Sequence, residues 1–142
     1  MKEEAKELDS IEEDLKGVDC VIHLAGLSND PLGELSPNLT EDINYTGTIR
    51  LAEMSRKAGV SRFVYASSQS MYGISDTSHE LDEDNSEKNP VTAYAATKWE
   101  AEVSLKKLNS NYDLFKISQI MMKELNSLRF RMVIVILMAH LN

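Results

Sequence analysis

Apolar positions in this chain come in two kinds of run. Val18-Asp-Cys-Val-Ile-His-Leu-Ala25 and Arg62-Phe-Val-Tyr-Ala66 are almost unbroken, the pattern of strands buried on both faces. Between them, Ile43, Gly47, Leu51, Met54 and Ala58 recur every three or four positions. That spacing predicts a helix over 37–58 with those five residues on its inward face, and Lys57 and Gly59 mark its end. Ala101, Leu105 and Leu108 repeat the helical spacing and predict a second helix over 91–108. Ahead of the first strand, Ser10 and Glu13 form a capping-box pattern, predicting a short helix to Lys16 that Gly17 stops in a left-handed turn. Segments 26–39 and 67–89 are polar and read as loops, the first carrying the turn residues Asn29, Asp30, Pro31 and Gly33. Strand-helix-strand-helix order with buried strands predicts an α/β fold with a parallel sheet and right-handed crossovers.

The pattern is less decisive beyond Asn109. Tyr112 to Ile117 fits a strand and Ser118 to Asn126 a short helix. Arg131-Met-Val-Ile-Val-Ile-Leu-Met138 fits either a strand or a buried helix, and is an aggregation hazard if exposed. There is no internal repeat, and the length of 142 residues suits one domain.

Charge removes one function class. The net charge of −8 argues against binding nucleic acid, which needs a basic face. The acidic excess is concentrated in 2–14 and 76–87, which read as solvated surface. Cys20 is the single cysteine, so no disulfide closes within the chain, and it reads as a small buried hydrophobe. The N-terminus has no apolar signal core, and the longest apolar run, Met132 to Ala139, is far shorter than the ~20 residues a membrane helix needs. These features predict a cytoplasmic protein with no membrane contact.

The residues that point to chemistry lie in and after the second strand. In Tyr94-Ala-Ala-Thr-Lys98, a spacing of four puts a phenol and an ammonium on one helix face. A nearby ammonium favours phenolate, so such a pair can move a proton to or from an alcohol. In isolation the pattern is also that of an ordinary solvated helix face. Its context is more specific: Phe63-Val-Tyr-Ala-Ser-Ser-Gln-Ser-Met-Tyr-Gly73 places Ser67 and Ser68 directly after a strand. Ligand sites of parallel α/β sheets lie beyond the carboxyl ends of their strands, and a serine hydroxyl there both donates and accepts.

Strand-Ser-Ser-x-x-x-Tyr-Gly followed by Tyr-x-x-x-Lys resembles the extended short-chain dehydrogenase/reductase family. Within it, the sequence resembles the NAD-dependent epimerase/dehydratases of the UDP-glucose 4-epimerase type. Three more stretches are similar to family motifs in the same order: Val18 to Gly26, Asn44-Tyr-Thr-Gly-Thr48, and Arg56-Lys-Ala-Gly-Val-Ser-Arg-Phe-Val64. The match runs from about Ser10 to Leu108. The resemblance implies a partial Rossmann-like parallel sheet flanked by helices over residues 1–142, with NAD as cofactor (NADP is left open) and a nucleotide sugar as substrate. It implies that Tyr94 is the acid/base on a sugar hydroxyl, that Lys98 supports it and bonds the nicotinamide ribose, and that Ser68 bonds the same sugar hydroxyl. Ala25 and Gly26 would meet the cofactor backbone-first. Asn44 would support the cofactor side or anchor the helix to the strand end, and Ser67 would join that side or only turn the chain. Tyr72-Gly73 is expected to shape the loop, and His23 to be a packed residue of the strand. A homodimer through the helices at 37–58 and 91–108 is also implied.

Two departures matter. Where the dehydratase branch carries Thr-Asp-Glu, this chain has Ser68-Gln69-Ser70, which argues for epimerase-type chemistry and against elimination. The family opens with strand-Gly-x-x-Gly-x-x-Gly-helix, which seats a pyrophosphate on a helix N-terminus; no such motif occurs in these 142 residues. The first βαβ unit and the C-terminal substrate lobe have no counterpart, so an unpaired sheet edge is expected. Leu128 to His140 faintly resembles a later family segment, with Val135 where that segment often has Asn near the nucleotide. Three readings follow: a nucleotide-sugar epimerase-type enzyme, a remnant unable to hold cofactor, and an NAD(P)-dependent sugar or ketone reductase.

Overall fold

The computed structural model describes residues 11–27, 36–74, 81, 84–109 and 132–135. Residues 11–14 form a helical turn, and Gly17 takes a φ of 70° to redirect the chain into the first strand. Strand β1 (Cys20–His23) is buried along its whole length. It pairs in parallel with β2 (Arg62–Tyr65), with Val21 opposite Phe63 and His23 opposite Tyr65. The parallel α/β arrangement is the one that the buried runs and the element order imply. The capping residue Ser10 and the elements expected over 112–126 lie outside the described residues.

A third strand, β3 (Met132–Val135), lies parallel to β1 on the side away from β2, giving the sheet order β2-β1-β3. This corrects the expectation of an unpaired edge there. The run Met132-Val-Ile-Val135 is rich in β-branched residues, and pairing it satisfies backbone groups of β1 that would otherwise be left open. It also settles the run around 131–138 as containing strand.

Alternation along the strands separates two faces. Val21, Phe63 and Tyr65 join Leu15, Val18, Leu51, Ala52, Val60, Ala101 and Leu105 in the main core, while Cys20, Ile22 and Val64 form a smaller cluster. Helices cover the main-core face. The first begins as α1 (Pro37–Glu41), runs through a π-helical turn (Asp42–Thr46), and continues as α2 (Gly47–Lys57). The last, α3 (Ala93–Asn109), packs Ala101 and Leu105 inward as their spacing predicts, with Leu108 partly buried beside them. Thr92 caps its start, its Oγ1 accepting from the Ala95 N–H at 3.2 Å.

The inward face of the long helix differs from the predicted one. Gly47 and Ala58 are exposed and Ile43 and Met54 only partly buried, whereas Thr40, Asn44, Thr48, Leu51, Ala52 and Ser55 are buried. Two physical causes act together. The π turn inserts an extra residue per turn, so the inward positions up to 48 recur every four residues, out of phase with an ideal helix. The buried hydroxyls are satisfied locally: Thr48 Oγ1 donates to the Asn44 carbonyl at 2.7 Å and Ser55 Oγ to that of Leu51 at 2.7 Å. Small polar residues therefore pack inward without losing their hydrogen bonds. Gly47 belongs to the same device, since a Cβ there would stand 3.3 Å from the Asp42 carbonyl oxygen.

His23 is buried in the core, as expected of a packed strand residue, with its ring 6.0 Å from those of both Phe63 and Tyr65. Its Nε2 lies 2.8 Å from Thr48 Oγ1. The single Thr48 hydroxyl proton is already given to Asn44, so His23 Nε2 carries the proton and donates to Thr48. That leaves Nδ1 as a bare lone pair, buried and without a hydrogen-bond partner. Protonating Nδ1 would bury an unpaired N–H, and burial, reinforced by the charge of Lys98, lowers the His23 pKa from 6.5 to about 4. In the pH window from 6.5 down to 4 the unfolded chain therefore binds more protons than the folded one. The stability that His23 contributes is complete above 6.5 and is lost as pH falls through about 4, up to about 3 kcal/mol. Urea unfolding at pH 7 and pH 4.5 should show a smaller acid destabilisation in His23→Leu than in the parent chain; equal losses in both would refute the assignment.

Candidate functional site

The site forms where β1 and β2 end against α3. Ala25 is buried and Gly26 partly buried just past β1. The next residue, Leu27, is held at both backbone groups by one side chain. Asn44 Oδ1 accepts from the Leu27 N–H at 2.7 Å, and Asn44 Nδ2 donates to the Leu27 carbonyl at 3.1 Å. The same Nδ2 lies 3.5 Å from Thr97 Oγ1 on α3. Asn44 sits inside the π turn, so it joins the β1 exit, the long helix and α3. Of its two expected roles, anchoring the helix to the strand end is the one these hydrogen bonds perform.

Lys98 is 4% exposed. Its ammonium donates to the Ala66 carbonyl at 2.9 Å and stands over the Tyr65 ring, 4.6 Å from the centroid, a cation–π contact. A Cβ built on Gly26 would come 3.1 Å from Asn44 Oδ1 and 3.6 Å from Lys98 Nζ. Gly26 therefore lets the strand exit lie close against both polar side chains, where a larger residue would crowd them. Burial pushes the Lys98 pKa down from 10.5 to about 8.

Tyr94 stands one turn before Lys98 on α3 and is half-buried. Tyr65, beneath the ammonium, is fully buried and donates its hydroxyl to the Lys98 carbonyl at 3.5 Å. Its phenol is held well above the usual range by burial first, then by Tyr94 and Glu102. Tyr65 was not singled out by sequence reasoning; its position immediately before Ala66-Ser67-Ser68 was the available signal, masked by its reading as a strand residue.

The two serines after β2 point to different partners. Ser67 Oγ donates to Glu102 Oε2 on α3 at 2.5 Å. Ser68 caps the 3-10 helix Gln69–Tyr72, its Oγ accepting from the Ser70 N–H at 3.3 Å and lying 2.7 Å from Ser70 Oγ. Gly73 closes that turn at a φ of 69°, where a Cβ would meet the Asn89 carbonyl oxygen at 2.1 Å, consistent with a loop-shaping role for Tyr72-Gly73. The structure thus gathers Gly26, Asn44, Ala66, Ser67 and Lys98 around the neighbouring ends of β1 and β2, with Tyr94 and Ser68 on the adjoining turns.

Comparison with known proteins places this arrangement. The model of the NAD dependent epimerase/dehydratase family matches residues 3–124. The chain belongs to that family. It is 34% identical over 113 residues to a UDP-glucose 4-epimerase of Mycolicibacterium smegmatis, covering 75% of this chain and 36% of that protein. A UDP-glucuronate 4-epimerase of Thermodesulfobacterium geofontis is 38% identical over 87 residues, 61% of this chain and 26% of the relative. Among solved structures, RMD from Pseudomonas aeruginosa complexed with NADPH superposes with a TM-score of 0.69 at 28% identity, over 77% of this chain and 38% of that one. A UDP-glucose-4-epimerase from Stenotrophomonas maltophila with bound NAD and formylated UDP-arabinopyranose gives 0.69 at 26% identity, over 76% and 32%. The chain spans about a third of the length of these family members. The Rossmann-like α/β class is shared with the neighbours. Among the described residues, no helix is long and apolar enough to cross a membrane.

The burial of Lys98 has a direct readout. Carbon-13 labelling at lysine Cε should show one side chain titrating with a midpoint near pH 8, and Lys98→Met should remove that step. A spectrum without a lysine transition near pH 8 would contradict the buried placement of the ammonium.

Proposed function

We propose that this chain is the catalytic-face part of an NAD-dependent nucleotide-sugar epimerase-type enzyme, in which Tyr94 moves a proton at a sugar hydroxyl. The observation that carries this reading is a buried ammonium, Lys98, one helical turn from Tyr94 and close against Gly26 at the end of β1. The identity of relatives as UDP-glucose and UDP-glucuronate 4-epimerases supports a nucleotide-sugar substrate. The NAD and NADPH bound in structural neighbours support a nicotinamide nucleotide as cofactor.

The residues present fit the nicotinamide-ribose half of such a cofactor. Lys98 has three N–H donors; one is taken by Ala66, and the others are available for a ribose hydroxyl and for the phenol oxygen of Tyr94. Ala25 and Gly26 offer backbone with no side chain to obstruct an approaching ring. A bound nicotinamide supplies the acceptor and donor for hydride at the sugar carbon. Tyr94 takes the proton from the sugar hydroxyl as the carbon is oxidised and returns it as the carbon is reduced, the step to which positioned acid/bases contribute. Ser68 orients the same hydroxyl from the β2 side. The Ser68-Gln69-Ser70 sequence offers no carboxylate for elimination, which favours epimerase over dehydratase chemistry.

A second reading is a remnant that keeps these residues without holding cofactor. The 142 residues themselves contain no Gly-x-x-Gly-x-x-Gly segment to seat a pyrophosphate, which bears only on binding by the isolated chain. On either reading the isolated chain should bind NAD and NADP only weakly; calorimetry giving micromolar affinity would overturn that expectation.

The two readings separate when the cradle is supplied. Residues 10–108 would replace the matching segment of the M. smegmatis UDP-glucose 4-epimerase, and the hybrid would be assayed with NAD and UDP-hexose. Epimerisation is expected, and Tyr94→Phe should lower kcat by about 10²–10⁴-fold with NAD affinity retained. A folded, NAD-binding hybrid that is inactive with Tyr94 intact would favour the remnant. Turnover unaffected by Tyr94→Phe would remove Tyr94 from the mechanism, and net reduction without epimerisation would point to a reductase.

A further inference from the structure

Glu102 is a carboxylate that the proposed chemistry does not use, and it is 2% exposed. It lies one turn beyond Lys98 and two beyond Tyr94 on the same face of α3. Ser67 Oγ donates to Glu102 Oε2, at 2.5 Å. The other oxygen, Oε1, is 3.7 Å from the ammonium of Lys106, which is itself 44% exposed.

Ser67 is the middle residue of the β2 exit. The residue before it, Ala66, gives its carbonyl to Lys98 at 2.9 Å. The residue after it, Ser68, uses its hydroxyl to cap the 3-10 helix through Ser70. Helix α3 therefore grips the exit at two successive residues with two side chains one turn apart, and Tyr94 belongs to the same row. Lys98 and Glu102 thus hold Ala66 and Ser67 against the helix that carries Tyr94.

We propose that Glu102 is a positioning residue: by holding Ser67, it sets Ser68 opposite Tyr94, and so acts on the proton-transfer step without touching substrate or cofactor. The inference rests on the epimerase-type reading above. Stability is a weak reason for the contact to Lys106, since an ion pair with a half-exposed ammonium contributes little. A carboxylate does give the Ser67 hydroxyl one fixed direction, which an apolar side chain cannot.

The first measurement uses the full 142-residue chain. Glu102→Leu should raise amide hydrogen exchange at Ser67 and Ser68 relative to the main-core strands, whereas Glu102→Gln, which keeps an acceptor oxygen for Ser67, should leave it near the parent level. Unchanged protection at both serines in Glu102→Leu would overturn the proposal whether or not the chain belongs to an active enzyme. The second measurement uses the hybrid enzyme. Glu102→Leu should lower kcat by about ten- to a hundredfold, the scale of a misplacement near 1 Å, with KM for the nucleotide sugar and NAD affinity little changed. Glu102→Gln should restore most of the loss. Ser67→Ala should lower kcat likewise, and adding it to Glu102→Leu should cost little more, because the Ser67–Glu102 contact is already lost in either variant. A hybrid that loses activity with Tyr94→Phe but keeps its full kcat with Glu102→Leu would sink the role of Glu102 and leave the epimerase-type reading standing. Should Glu102→Leu fail to fold, Ser67→Ala and Glu102→Gln decide between the same outcomes.

Discussion

The amide of Asn44 is the joint on which the site depends. One side chain answers both backbone groups of Leu27 and reaches Thr97, so three elements distant in sequence share a single rigid planar group. An amide carries donors and an acceptor at once, and a buried loop exit needs both. A carboxylate would offer no donor to the Leu27 carbonyl, and an apolar residue would leave two buried backbone groups unpaired. With that joint made, Gly26 is set beside Lys98 and the end of β1 faces α3.

The ammonium of Lys98 is the second determinant, and its environment is unusual for a lysine. It is buried, yet its partners are a backbone carbonyl and an aromatic face. Neither of these partners carries a charge that would neutralise it. Tyr65 closes the underside, and its own high pKa keeps its phenol neutral there. The π turn serves the same end from the other side: it brings Asn44 inward and places Thr48 under His23. A few short polar contacts beside the apolar main core thus support the strand ends.

The sequence and the structure agree most closely where one residue pattern has one physical meaning. Continuous apolar runs became β1 and β2, Gly17 and Gly59 both take positive φ at the predicted stops, and the Tyr94–Lys98 spacing lies on a regular helix. The inward face of the long helix was misread because hydropathy ranks Ile43 and Met54 above Thr48 and Ser55, and it does not register that a hydroxyl bonded to its own helix can be buried. Local π geometry, which shifts the phase, has no simple signature in the residue pattern. Tyr65 and Glu102 were not legible for a different reason: each acquires its meaning from an element far away in the chain. The run near 131–138 was ambiguous because an all-apolar stretch satisfies strand and buried helix equally.

The order β2-β1-β3 also carries a consequence in time. Cys20 meets Arg62 across an intervening helix of local contacts, but it meets Met132 from more than a hundred positions away. The equilibrium penalty for that longer closure is small, under about 1 kcal/mol beyond the shorter one, because loop entropy grows only logarithmically. The kinetic penalty is larger, since pairings of high sequence separation form slowly. The β1–β2 pair and its helices can assemble as a local unit while the open edge of β1 waits for its last neighbour. During that interval the edge is a template for any extended segment nearby, including the same strand of another molecule. Slow joining of β3 would lengthen the time for which that edge is exposed.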